Sequence, residues 1–98
     1  MQHHLSIDIE TKSSVDITKA GAYRYAQSED FEILLFACKY DEEDVQLVDL
    51  TAGESIPEWI LTALMNPNVI KHAYNAAFEW YCLNTAGIVL LWNNGTVR

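Results

Sequence analysis

Two carboxylates stand two positions apart in Leu5-Ser6-Ile7-Asp8-Ile9-Glu10, where Leu5, Ile7 and Ile9 alternate with polar residues. Strict alternation is the pattern of a half-buried strand. It puts Asp8 and Glu10 on one face, with Cα atoms about 6.5–7 Å apart. Acids that project together repel each other and lose solvation when covered. A divalent cation relieves both costs, and carboxylate oxygens suit Mg²⁺ or Mn²⁺. Phosphodiester hydrolysis uses two such ions about 3.5–4 Å apart, one activating a water and one stabilising the leaving oxygen. The same pattern also describes an ordinary strand with an acidic side turned to solvent.

A second group lies in Tyr74-Asn75-Ala76-Ala77-Phe78-Glu79. Asn75 is placed to cap a helix running to about Ala86, with Gly87 just past its end. Glu79 then shares a helical face with Cys82, Leu83 and Ala86. An acid on that apolar stripe needs a partner, although the positive N-terminal end of the helix helps it. The alternative is a glutamate at the edge of the stripe, reaching water.

The elements that must position these groups follow from patterning. Leu5–Glu10 is the first strand. Thr11 to Asp30 shows no clear periodicity and reads as a long connection, with residues 22–26 packing locally. The near-continuous apolar run Phe31–Tyr40 predicts a buried strand, Asp41-Glu42-Glu43 a turn, and Val45–Leu50 the returning strand of an antiparallel hairpin. Ser55-Ile56-Pro57-Glu58 has the form of a capping box, with Ser55 as N-cap and Glu58 at the third helical position. The helix it opens carries Ile56, Ile60, Ala63 and Leu64 on one face and ends at Asn66-Pro67-Asn68. Val69–Ala73 is a short strand, Ile88–Trp92 another, and Asn94-Gly95 a turn pair. This order predicts an α/β fold: a mixed sheet of four to five strands covered by two helices.

At 98 residues the chain is one domain, and with half its residues hydrophobic and 11% aromatic it is not disordered. A net charge of −8 argues against a broad basic surface for nucleic acid. It is compatible with a nuclease working through cations, which reverse the local potential. Glu42, Glu43 and Asp44 read as a solvated acidic surface. The N-terminus has no secretory pattern, and the longest apolar stretch, Ile33–Cys38, is too short for a bilayer. Cys38 and Cys82 lack metal-type spacing and read as buried free thiols of a cytoplasmic protein.

Asp8-Ile9-Glu10-Thr11 resembles the first motif of the DEDD-type 3′–5′ exonucleases, Asp-x-Glu-Thr. Tyr74-Asn75-Ala76-Ala77-Phe78-Glu79 resembles the second, commonly His-Asn-Ala-x-Phe-Asp. Between them Ser13–Asp16, Gly21–Tyr25 and Asp30–Ala37 are similar to polymerase I-like proteins of prophages, so the resemblance is to the proofreading domain of phage-type family A DNA polymerases. It covers about residues 5–87. It implies a ribonuclease H-like fold in which Asp8 bridges two Mg²⁺ or Mn²⁺ ions, Glu10 ligates one, and Glu79 takes the place of the second-motif aspartate. Thr11 and Asn75 would hold the 3′-terminal nucleotide of single-stranded DNA, and the reaction would release nucleoside monophosphates from its 3′ end.

The chain departs from that pattern in three ways. Glu79 adds a methylene where the family has Asp, and Tyr74 stands where many members have His. The third motif, with a Tyr or His that acts on the attacking water and a final Asp, has no counterpart, because no Asp, Glu or His follows Glu79. Residues 88–98 are off-pattern. The expectation is therefore a truncated ribonuclease H-like domain, weak or inactive because members of such a site act as a unit. Bare apolar surface would then favour a homo-oligomer, with Ile88–Trp92 a candidate contact. The competing expectation is a non-catalytic remnant that binds itself or a replication partner.

Overall fold

A computed structural model describes residues 2–90 and 96–97 of the chain. The alternating segment extends further than its apolar positions require, forming β1 over His3–Lys12. Leu5, Ile7 and Ile9 are buried and the residues between them are exposed, as the pattern demands. Strand β1 is central, antiparallel to β2 (Glu32–Tyr40) and parallel to β4 (Val69–Ala73). The hairpin partner β3 (Gln46–Asp49) and the two-residue β5 (Thr96–Val97) lie on the two edges, giving the order β3-β2-β1-β4-β5. This mixed sheet has the strand order of the ribonuclease H-like arrangement.

Among the described residues the sheet has one covered and one open face. Paired residues share a face, so Leu5, Ile7 and Ile9 stand beside Cys38, Phe36, Val48, Val69 and Ala73, all buried. Against them pack Ile60, Ala63 and Leu64 of α2 (Glu58–Met65) and Cys82 and Leu83 of α3 (Ala76–Thr85), completing one core. Ser6, Asp8, Glu10, Lys39 and Leu47 occupy the opposite face and are exposed.

Among the described residues three α-helices form, one more than predicted. The segment read as a long connection contains α1 (Ile17–Gln27), which docks on α3. Asp16 caps it, accepting from the Thr18 backbone N–H and hydroxyl. Gly21 breaks it with φ 87° and ψ 168°, and Ala26 is its one buried residue. A kinked helix with so little buried surface leaves no 3.6-residue stripe in the sequence. The two ends of the excursion are tied by Asp30, which accepts from the Ser14 backbone and hydroxyl and from the Ser28 hydroxyl.

The predicted capping box does not form. Pro57, with φ −57° and ψ 147°, is the residue before α2, and no side chain caps that end. Proline disfavours helical backbone in the residue before it, so Ser55 and Ile56 are kept out of the first turn. The C-terminus of α3 does close as expected. Gly87, with φ 81°, follows the cap residue Ala86; its N–H reaches Asn84 O, and the Ile88 N–H reaches Leu83 O. Those two bonds are the Schellman pattern. The strand expected over Ile88–Trp92 is not seen in its described part, residues 88–90, and its remainder and the Asn94-Gly95 turn lie outside the described residues. Among the described residues no helix is long and apolar enough to cross a membrane.

Candidate active site

Pairing between β1 and β4 ends at Ile7 and Ala73, so Asp8 is the first residue of β1 beyond it. There the chain leaves β4 through Tyr74 and Asn75 and enters α3. This is the carboxyl end of two parallel strands, where open α/β sheets place their ligands. The Asn75 side chain caps α3 by accepting from the Phe78 N–H at 3.2 Å. That fixes the first turn of α3, from which Glu79 is buried.

Glu79 is 3% exposed, and its Oε2 atom has no hydrogen-bond partner among the described residues. Burial pushes its carboxyl above the usual carboxylate range, and the charge on Asp8 pushes it further. One turn on, the Cys82 thiol is pushed up to about 12 by burial and then by the Glu79 charge. Cys38 is also buried and free, with its thiol pushed up to about 11 by burial. Both cysteines are therefore inert core residues at neutral pH.

Asp8 and Glu10 are exposed on the open face, as the alternation predicts. Asp8 and Glu79 come within electrostatic reach of each other. Among the described residues, no group of three or more His, Cys, Asp and Glu side chains gathers as a metal cage. Thr11 lies past a bulge, where the β2 register shifts between Leu35 and Ile33. The shift leaves Leu34 without an opposite residue on β1. Thr11 is half-buried, and its hydroxyl is bonded to the Tyr25 hydroxyl at 2.9 Å. Tyr25 in turn packs on Phe78 of α3, with ring centroids 5.9 Å apart. Tyr74 is 80% exposed.

Two features escaped the sequence reading. Tyr25 ties the first motif to the second, but α1 itself was not visible in the periodicity. Lys71 is fully buried, on the same face as Val69 and Ala73, and its ammonium donates to the Asn66 carbonyl. Burial pushes that ammonium's pKa down. Its acceptor closes the C-terminal end of α2, where the helix dipole favours a cation. Alternation along Val69–Ala73 could have found it, since residue 71 falls on the buried side.

No protein-family profile matches the chain, and no solved structure does. A protein named DNA polymerase, from Bacillus phage SP02, is 54% identical to it over 79 residues, 81% of this chain. The chain spans 12% of that relative's length. Most of the chain, 79 of its 98 residues, is thus related to a short stretch of a phage DNA polymerase.

Proposed function

We propose that these residues form the metal-binding half of a DEDD-type 3′–5′ exonuclease site belonging to a phage-type DNA polymerase. The observation that carries this reading is the Glu79 carboxylate: buried, with an unpartnered oxygen, and raised in pKa with Asp8 contributing. An acid so placed is destabilising unless a cation joins it. The donor set is all carboxylate oxygen, which fits Mg²⁺ or Mn²⁺. Asp8 and Glu79 would hold the metal, with Glu10 joining from the same strand face as Asp8. Bound there, such ions activate a water and stabilise the leaving oxygen of a phosphodiester. Asn75 holds the first turn of α3 in place, and Tyr25 holds Thr11 beside it, so the motif residues keep their positions as a 3′-terminal nucleotide enters. With no Asp, Glu or His after Glu79, the general base and fourth carboxylate must come from outside these residues. The chain by itself then binds metal but trims DNA weakly or not at all. A cytoplasmic location belongs to the same reading, supported by two buried free thiols.

Titrating Mn²⁺ by calorimetry, beside digestion of 3′-labelled single-stranded DNA, tests this. Binding should be present in the wild type and lost in Asp8→Ala and Glu79→Gln. Absence of Mn²⁺ binding, or binding unchanged in Asp8→Ala, would overturn the reading.

A second reading, self-association, is favoured by the open sheet face. Leu47 is 63% exposed there, and Leu35 and Ala37 of the neighbouring β2 are half-buried beside it. Asp8 and Lys39 on the same face could pair reciprocally across a two-fold axis.

A further inference from the structure

Acids are spread along most of this chain of net charge −8, but within α1 and α3 none is exposed, the nearest to α1 being its cap Asp16 and the following Glu29 and Asp30. Residues 17–27 contain no Asp or Glu, and within 76–85 the single acid, Glu79, is buried. What those helices expose instead is cationic and aromatic. Lys19 and Arg24 are exposed on α1. Tyr23 is 59% exposed and Trp80 is 40% exposed, with Tyr81 between them. The Tyr81 ring meets Tyr23 edge-on at 5.5 Å and Trp80 edge-on at 5.3 Å. Beside Trp80 the small side chains of Ala76 and Ala77 leave a shallow concavity of about 250 Å³, open to solvent. It adjoins Asn75, the cap of α3.

We propose that this α1–α3 surface is a track for single-stranded DNA leading to the site. Unpaired bases would stack on Trp80 and Tyr23, one lying over the Ala76–Ala77 shelf, while Lys19 and Arg24 meet the phosphates. A polyanion approaching an acidic protein is repelled by most of its surface, and the middle of these two helices, which exposes Lys19 and Arg24 and no acid, repels it least. Aromatic faces with flanking cations bind single strands without regard to sequence, because every base has a π-face. Exposed tyrosine and tryptophan have no such match in a duplex, whose bases are already stacked. The proposal rests on the exonuclease reading for its destination, and its chemistry can be tested apart from the metal.

The test is fluorescence anisotropy of a labelled oligothymidylate at low salt in EDTA, with the full chain. Trp80→Ala should weaken binding between about fivefold and a hundredfold, the range for losing one base–aromatic stack. Trp80→Phe, which keeps a ring, should restore most of it, and Arg24→Gln should flatten the salt dependence. An abasic strand of equal length should bind wild type and Trp80→Ala alike. Unchanged binding in Trp80→Ala overturns the track, as does equal weakening toward the abasic strand. Loss of a protein dimer in place of DNA affinity also overturns it, marking the surface as a contact between copies. If Mn²⁺ binding fails while this pattern holds, the exonuclease reading falls and the single-strand surface stands.

Discussion

At the scale of single residues, Glu79 ties the stability of the protein to its chemistry. Its folded pKa is raised by burial and by Asp8. The unfolded chain therefore releases this proton at lower pH than the folded one, and stability falls as pH rises through the raised value. The stabilising contribution is fully present below the ordinary glutamate value and is lost above the folded one. Glu79→Gln should accordingly be more stable than wild type at pH 7 without metal, because the amide carries no charge to desolvate. The gain should vanish in urea melts below about pH 4. Added Mn²⁺ should stabilise the wild type and leave Glu79→Gln nearly unmoved. A variant less stable than wild type at pH 7 would show that the carboxylate is satisfied in some other way.

At the scale of elements, α1 is what joins the two motif segments. It reaches Thr11 and Phe78 through Tyr25, and Tyr81 through Tyr23. Its course depends on Gly21, whose φ of 87° and ψ of 168° lie where residues with a side chain are strained. An added Cβ would meet nothing within 4 Å, so the cost of Gly21→Ala is backbone strain alone. We expect a loss of about 1–3 kcal/mol. It should appear in hydrogen exchange as faster opening of α1 before the sheet opens. Equal loss of protection in β1 would place Gly21 in the global folding unit instead. Strands β1 to β4 were legible beforehand, β1 from its period-two alternation and β2 from its near-continuous apolar run; the two-residue β5 was not. The helix was not, because Gly21 interrupts its period and Ala26 alone anchors it in the core. The Ser55 capping box was misleading for a local reason: Pro57 shifts the start of α2 to Glu58.

At the scale of the whole molecule, the described residues cover the sheet on one side only. Helices α2 and α3 pack on the face of Leu5, Ile7 and Ile9, while Leu47 and the two acids of β1 face outward. The sequence reading put self-association at Ile88–Trp92. Leu90, however, is buried in the chain's own core, and of its described neighbours Val89 is half exposed. The open sheet face is the better candidate. Light scattering at micromolar concentration should then show a dimer that Leu47→Glu dissociates and that Mn²⁺ weakens by competing for Asp8. A monodisperse wild-type monomer at that concentration would rule out this contact.

The Asp8/Glu10 pair, the Asn75 cap and the position of Glu79 in the first turn of α3 were determined by sequence alone. Each depends on local period or capping, which act over a few residues. Only the tertiary structure decided that Glu79 is buried with an unpartnered oxygen, that Asp8, exposed like Glu10, comes within electrostatic reach of it, and that no third acid joins them among the described residues. Those outcomes depend on where β4 stops against β1 and on how α3 crosses the sheet. Both are set by packing between segments some 70 residues apart, and no local pattern encodes them.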